Sequence, residues 1–168
     1  MPVIDVHTHM FTPKWLELLK REGGMYNIQT RPDGQQEVFR GNTPVVIPQK
    51  GHFDYDMRIQ QMNAAGIDIS IVSLTCPNVY WGTEEISCRA ARESNDTMAQ
   101  AQSTYPDRIR WFTSLPWEYP ARAIEELDRT CRNGASGVMV LANISGRSLT
   151  DPMFAPIWAE IDKRGLPV

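Results

Sequence analysis

The sequence predicts an α/β fold, the N-terminal half of a TIM-type (β/α)8 barrel with a β-hairpin inserted after the first strand. Two observations carry this prediction. From Ile67 onward, β-branched apolar runs alternate with helical periods, as parallel strands joined by helical crossovers require. The first strand runs into His7-Thr8-His9, where a doubly wound nucleotide-binding sheet carries a glycine-rich phosphate loop. A complete barrel takes roughly 250 residues. The expectation is therefore that residues 1–168 form the first part of one barrel domain, with an insertion at about residues 21–52 and the C-terminal half absent.

The elements follow in order. Val3 to Val6, β-branched around Asp5, read as a short buried strand ending at the histidines. A helical stretch with Trp15, Leu16 and Leu19 leads to Gly23-Gly24, and turn signals at Asp33-Gly34 and Gly41-Asn42 mark the inserted hairpin. Phe53 to Ala65 carries Met57, Ile59, Met62 and Ala65 at helical spacing, closed by Gly66. Ile67 to Leu74 is a strand and Glu84 to Tyr105 a long helix that stops before Pro106. The cycle repeats with a strand at Ile109 to Leu115, a helix at Tyr119 to Asn133 and a strand at Gly137 to Leu141. A last helix spans Asp151 to Arg164, with Pro152 in its first turn and Gly165 after its end. Leu166-Pro167-Val168 opens a further strand.

With 42% hydrophobic and 22% charged residues, the composition is that of an ordinary globular domain. A formal charge of -3, with Lys and Arg scattered, leaves no basic face for nucleic acid or an anionic membrane. Cys76, Cys88 and Cys131 are odd in number and lack CxxC spacing, which argues against a disulfide framework and fits a cytoplasmic setting. Neither a signal peptide nor a membrane span is expected from the sequence.

The histidine pair carries the chemistry. Alternate strand residues face the same way, so His7 and His9 share a face while Thr8 points away. At the C-terminal end of a barrel strand that face opens on the mouth, where sites of this fold are built. Neutral imidazole is the commonest nitrogen ligand for zinc-like ions, so the pair reads as the first two ligands of a divalent metal. Two strand-end histidines that merely cap the strand are the plain alternative.

The segment Ile4-Asp5-Val6-His7-Thr8-His9, with Pro13-Lys14-Trp15, Arg58 to Gly66, Tyr105-Pro106-Asp107-Arg108 and Gly165-Leu166-Pro167-Val168, resembles an amidohydrolase-related family. That family includes the aminocarboxymuconate semialdehyde decarboxylases and the resorcylate-type decarboxylases. The resemblance spans the whole chain. It implies a zinc-type site, manganese being the other candidate, in which His7 and His9 are joined by histidines of strands five and six and an aspartate of strand eight. It also implies an arginine that clamps substrate from the inserted hairpin, where Phe39-Arg40 looks similar. Aligned on the Gly41-Asn42 turn, Arg40 falls on the first strand and the family's arginine on the second.

Further candidates sit after strand ends. Tyr80 and Trp81 after strand two and Trp117 after strand three either line a planar conjugated substrate or pack over the rim. Asn143 after strand four either contacts substrate or serves a turn beside Gly146, and Arg147 is a second candidate clamp. Arg58 is expected in a structural salt bridge and His52 in a capping or surface role. The methionines and the cysteines are assigned to packing.

These readings converge on a metal-dependent carboxy-lyase for an aromatic or muconate-like acid, working without an organic cofactor. A hydrolase of the same group, acting on a lactone, amide or ring-cleavage product, and a non-catalytic half-barrel fragment are the alternatives. The expected partners are a small carboxylic acid and either the second barrel half or another copy of the chain. Bare outer strands call for such a cover.

Overall fold

The structure, a computed structural model, describes residues 1–168. Four parallel strands form its centre: β1 (Ile4–His9), β5 (Ile69–Ser73), β6 (Ile109–Ser114) and β7 (Gly137–Met139), in that spatial order. Helices α2 (Tyr55–Ala65), α3 (Glu84–Thr104) and α4 (Pro120–Arg132) are the crossovers. This is a parallel half-barrel, and all four strands present their C-terminal ends at one rim.

Each helix is bounded by the residues that local chemistry selects. Thr12, Asp54 and Thr83 accept from the main chain three residues ahead, as N-caps do. Gly66 and Gly165 take the left-handed conformation just past α2 and α5 (Ala155–Lys163), where a Cβ would be strained. The last helix starts later than the sequence suggests. Residues Pro152–Phe154 form a 3-10 turn, and the regular helix begins at Ala155. Pro156 has no N–H to give to Pro152, so the α register cannot run through it.

Helix α1 (Pro13–Glu22) leads into the insertion, which contains the expected hairpin, β2 (Tyr26–Thr30) with β3 (Gln36–Arg40). A third antiparallel strand, β4 (Thr43–Val46), extends it around the Gly41-Asn42 turn. Pro44 obscures β4 in the sequence, and its place on an edge strand spares the ladder. His52 closes the 3-10 turn at Lys50–His52, its Nδ1 accepting from Gln49 N–H at 3.1 Å.

Two apolar clusters hold the layers together. The larger joins α1, α4 and α5 to the sheet and meander through Trp15, Leu19, Leu115, Trp117, Leu127 and Phe154. The smaller lies under α2 and α3, with Met62, Val72, Met98, Ile109 and Trp111. The methionines at helical spacing thus divide: Met62 is core, whereas Met57 lies at the edge of α2. The open sides of the sheet differ. Beyond β7, Val138 N–H donates to Pro167 O at 2.9 Å, while Leu166-Pro167-Val168, expected to open a strand, form none. Beyond β1, nothing pairs, and Ile4 and Val6 are exposed. No helix is long and apolar enough to cross a membrane.

Candidate metal centre and adjoining pocket

β1 pairs with β5 through an irregular register, Asp5 opposite Ser70 but Thr8 opposite Val72, so β1 carries one extra residue between them. Such a bulge re-aims side chains at a strand end. Asp5 Oδ1 accepts the main-chain N–H of His7 at 3.2 Å within it. One imidazole from within the bulge, His7, and one from past it, His9, converge. Their Nε2 atoms lie 3.2 Å apart, with ring centroids 4.8 Å apart and planes at 74°.

That geometry fits one shared ion. With metal–nitrogen bonds of about 2.0–2.1 Å, two nitrogens at this separation subtend roughly 100° at the metal, between the octahedral and tetrahedral angles. No group of three or more His, Cys, Asp or Glu residues forms a fuller ligand set in this chain. His9 is held from behind: Ser73 Oγ lies 3.1 Å from its Nδ1, and Arg58 Nη2 donates to its carbonyl at 3.3 Å. Burial, and then the neighbouring His7, push the His9 imidazole below its ordinary pKa, while a hydrogen bond to the Ser73 main chain pulls the other way. The neutral, ligating form is favoured as a result. Arg58 therefore differs from its expected role: it makes no ion pair and braces the end of β1 through the His9 carbonyl.

A separate cleft of about 270 Å³, lined by neither histidine, opens between the meander and the loops that follow β5 and β7. Arg40, Tyr80 and Asn143 meet there, together with Tyr26, Cys76 and Met25. The Arg40 side chain has only the Met25 sulfur as partner, at 3.1 Å, so its charge is free for a ligand. The Tyr80 hydroxyl is buried beside Leu141 without a hydrogen bond, and burial holds the phenol protonated far above its usual range. Asn143 also serves the turn, its Oδ1 accepting from Gly146 N–H at 2.9 Å. Cys76 follows Ser73 by three residues, which places this cleft within about 11 Å of chain from the His9 partner.

The other aromatic candidates lie elsewhere. Trp81 is 4% exposed and donates its indole N–H to Asn78 O at 2.9 Å, and Trp117 is fully buried against Phe154 and Trp158. Both are rim packing. Arg147 points to Asp151, 3.2 Å away, and does not line the cleft. A larger cleft, about 460 Å³, lies between α3 and α4 and reaches Pro116 just past β6. Its Arg122 is already paired with Glu84 at 2.8 Å and Glu125 at 3.0 Å, so it offers ion pairs and no reactive set. Sequence reasoning missed Ser73, since a serine at a strand end has no motif; its register opposite His9 is the only signal.

Comparison with known proteins agrees with the half-barrel fold. The chain is 29% identical over 170 residues to a 2-amino-3-carboxymuconate-6-semialdehyde decarboxylase of Dictyostelium discoideum, covering 98% of this chain and 47% of that protein. It is 33% identical over 124 residues to a gamma-resorcylate decarboxylase of Rhodococcus jostii, covering 67% and 37%. The chain spans about half the length of the first of these relatives. Among solved structures, the IDCase of Metarhizium anisopliae superposes with a TM-score of 0.86 at 20% identity, over 98% of this chain and 49% of that one. A 5-carboxyvanillate decarboxylase of Novosphingobium aromaticivorans, complexed with manganese and 4-hydroxy-3-methoxy-5-nitrobenzoic acid, gives 0.76 at 22%, over 99% and 49%. The fold is thus the N-terminal half of a TIM barrel. The amidohydrolase family model matches residues 4–168, nearly the whole chain, and the protein belongs to that family.

Proposed function

We propose that this chain supplies the first two metal ligands and part of the substrate pocket of a divalent-metal-dependent, non-oxidative decarboxylase for an aromatic or muconate-like acid. The observation that carries the reading is the 3.2 Å approach of the two Nε2 atoms at the strand ends. The ion would supply Lewis acidity for the charge that develops as carbon dioxide leaves. His7 and His9 hold it; Arg40 orients an anionic group of the substrate, and the Tyr80 hydroxyl donates to a polar substituent. Asn143, which also lines the cleft, offers its amide N–H to the substrate. Zinc is the ion proposed, because imidazole nitrogens suit it well; manganese is the alternative, bound in the related carboxyvanillate decarboxylase.

We further propose that residues 1–168 form the first part of one barrel domain, with the remaining ligands and the proton donor contributed by a second half lying along the β1 edge. Exposed Ile4 and Val6 support such a cover. Three free thiols and no disulfide support a reducing, cytoplasmic compartment.

The test is carbon dioxide release from hydroxybenzoates and from aminocarboxymuconate semialdehyde by the protein at the length of its relatives, with zinc or manganese added. Metal-dependent release from either class supports the reading. Hydrolysis of lactones or amides, without decarboxylation, replaces it with the hydrolase alternative.

A further inference from the structure

Ser73 ends β5 directly across from His9 and is 6% exposed. Its Oγ lies 3.1 Å from His9 Nδ1 and 3.4 Å from the carbonyl oxygen of Thr8. A hydroxyl has one proton and two lone pairs, whereas a carbonyl can only accept. With its proton given to Thr8 O, Ser73 turns a lone pair toward Nδ1, and Nδ1 must then carry the hydrogen. Nε2 is left as a bare lone pair, and it is Nε2 that faces His7.

We propose that Ser73 is a positioning residue that fixes His9 in the Nδ1–H tautomer, so that its Nε2 is always ready to bind a divalent cation. This inference rests on the metal reading above for its purpose, though not for its geometry. The opposite arrangement, with Ser73 donating to Nδ1, would put a hydrogen on Nε2 and block it as a ligand. The order Thr8 carbonyl, Ser73 hydroxyl, His9 imidazole is a relay of the kind that orients metal-bound histidines in general, where loss of the outer partner weakens metal binding 10–100-fold. Arg58 holds the same residue by its carbonyl, so ring and main chain of His9 are fixed separately.

The experiment uses the 168-residue chain labelled with nitrogen-15 at histidine, at about pH 8, where ordinary imidazoles are neutral. Two-bond and three-bond proton–nitrogen correlations assign the His9 tautomer without metal, and equilibrium dialysis gives the zinc affinity. Wild type and Ser73→Thr should show the Nδ1–H form. Ser73→Ala should show a mixture or the Nε2–H form and bind zinc on the order of 10–100-fold more weakly. An Nε2–H tautomer in the wild type, or an unchanged tautomer in Ser73→Ala, overturns the inference. If Ser73→Ala loses the tautomer but no variant, wild type included, binds zinc, the inference stands and the metal reading fails.

Discussion

Asn95, in the middle of α3, clamps the main chain of Ser114 at the end of β6: its Nδ2 donates to Ser114 O at 2.9 Å, and its Oδ1 accepts from Ser114 N–H at 2.9 Å. The amide also donates to Glu126 Oε1 at 2.7 Å, and Glu126 is tied to Arg129. Thus α3, β6 and α4 meet at one buried polar point just beneath the rim that carries the site. A free peptide group there would be orphaned, and that is costly when water is excluded.

Replacing Asn95 by Ala or Leu leaves Ser114 N–H, Ser114 O and part of Glu126 without partners. Each buried orphan costs about 1–3 kcal/mol. Urea unfolding should show a loss on the order of 3–5 kcal/mol for Asn95→Leu, with the m-value unchanged. A loss under about 1 kcal/mol would mean that the clamp is replaced by water.

Trp117 should behave as a core residue, despite standing just beyond a barrel strand. Its ring packs against Trp158, with centroids 4.7 Å apart, and against Phe154 at 5.7 Å. Trp117→Ala should cost about 3–5 kcal/mol of stability. Trp117→Phe should cost less and leave substrate affinity unaltered; a selective rise in KM with normal stability would return Trp117 to the substrate pocket.

The two arginines offered as clamps should separate cleanly. Arg40 has a free charge in the cleft, so Arg40→Ala, in the protein at the length of its relatives, should lower kcat/KM by on the order of 2–5 kcal/mol in transition-state terms. Arg147 is exposed and paired with Asp151, so Arg147→Ala should change activity little and stability by less than about 1 kcal/mol. Equal effects at the two positions would remove Arg40 as the clamp.

Much of this layout is legible in the sequence because period and capping agree. Val72 and Ile109 lie in β-branched runs, Leu127 in a 3.6-residue period, and Gly66 and Gly134 mark helix ends, so strand and helix alternation is written twice over. His7 and His9 are legible because a spacing of two on a strand fixes their common face. The bulge in β1 is not legible, since it depends on the partner strand's register. Nor are Asn95 and Glu126, polar helix residues whose burial is set by tertiary packing. Tyr80 and Trp81 are adjacent and similar in type, yet only Tyr80 lines the cleft, a distinction set by the loop path after Pro77. Arg58 looked like an ion-pair residue because its helical setting says nothing of the β1 carbonyl beneath it.

The central claim is that His7 and His9 hold one divalent ion between their Nε2 atoms. X-ray absorption on the chain equilibrated with zinc, with bound metal measured by equilibrium dialysis, tests it most directly. The prediction is one ion per chain, with two imidazole nitrogens at about 2.0–2.1 Å, lost in His7→Ala and in His9→Ala. Stoichiometric zinc retained in the double variant, or none retained by the wild type, would contradict it.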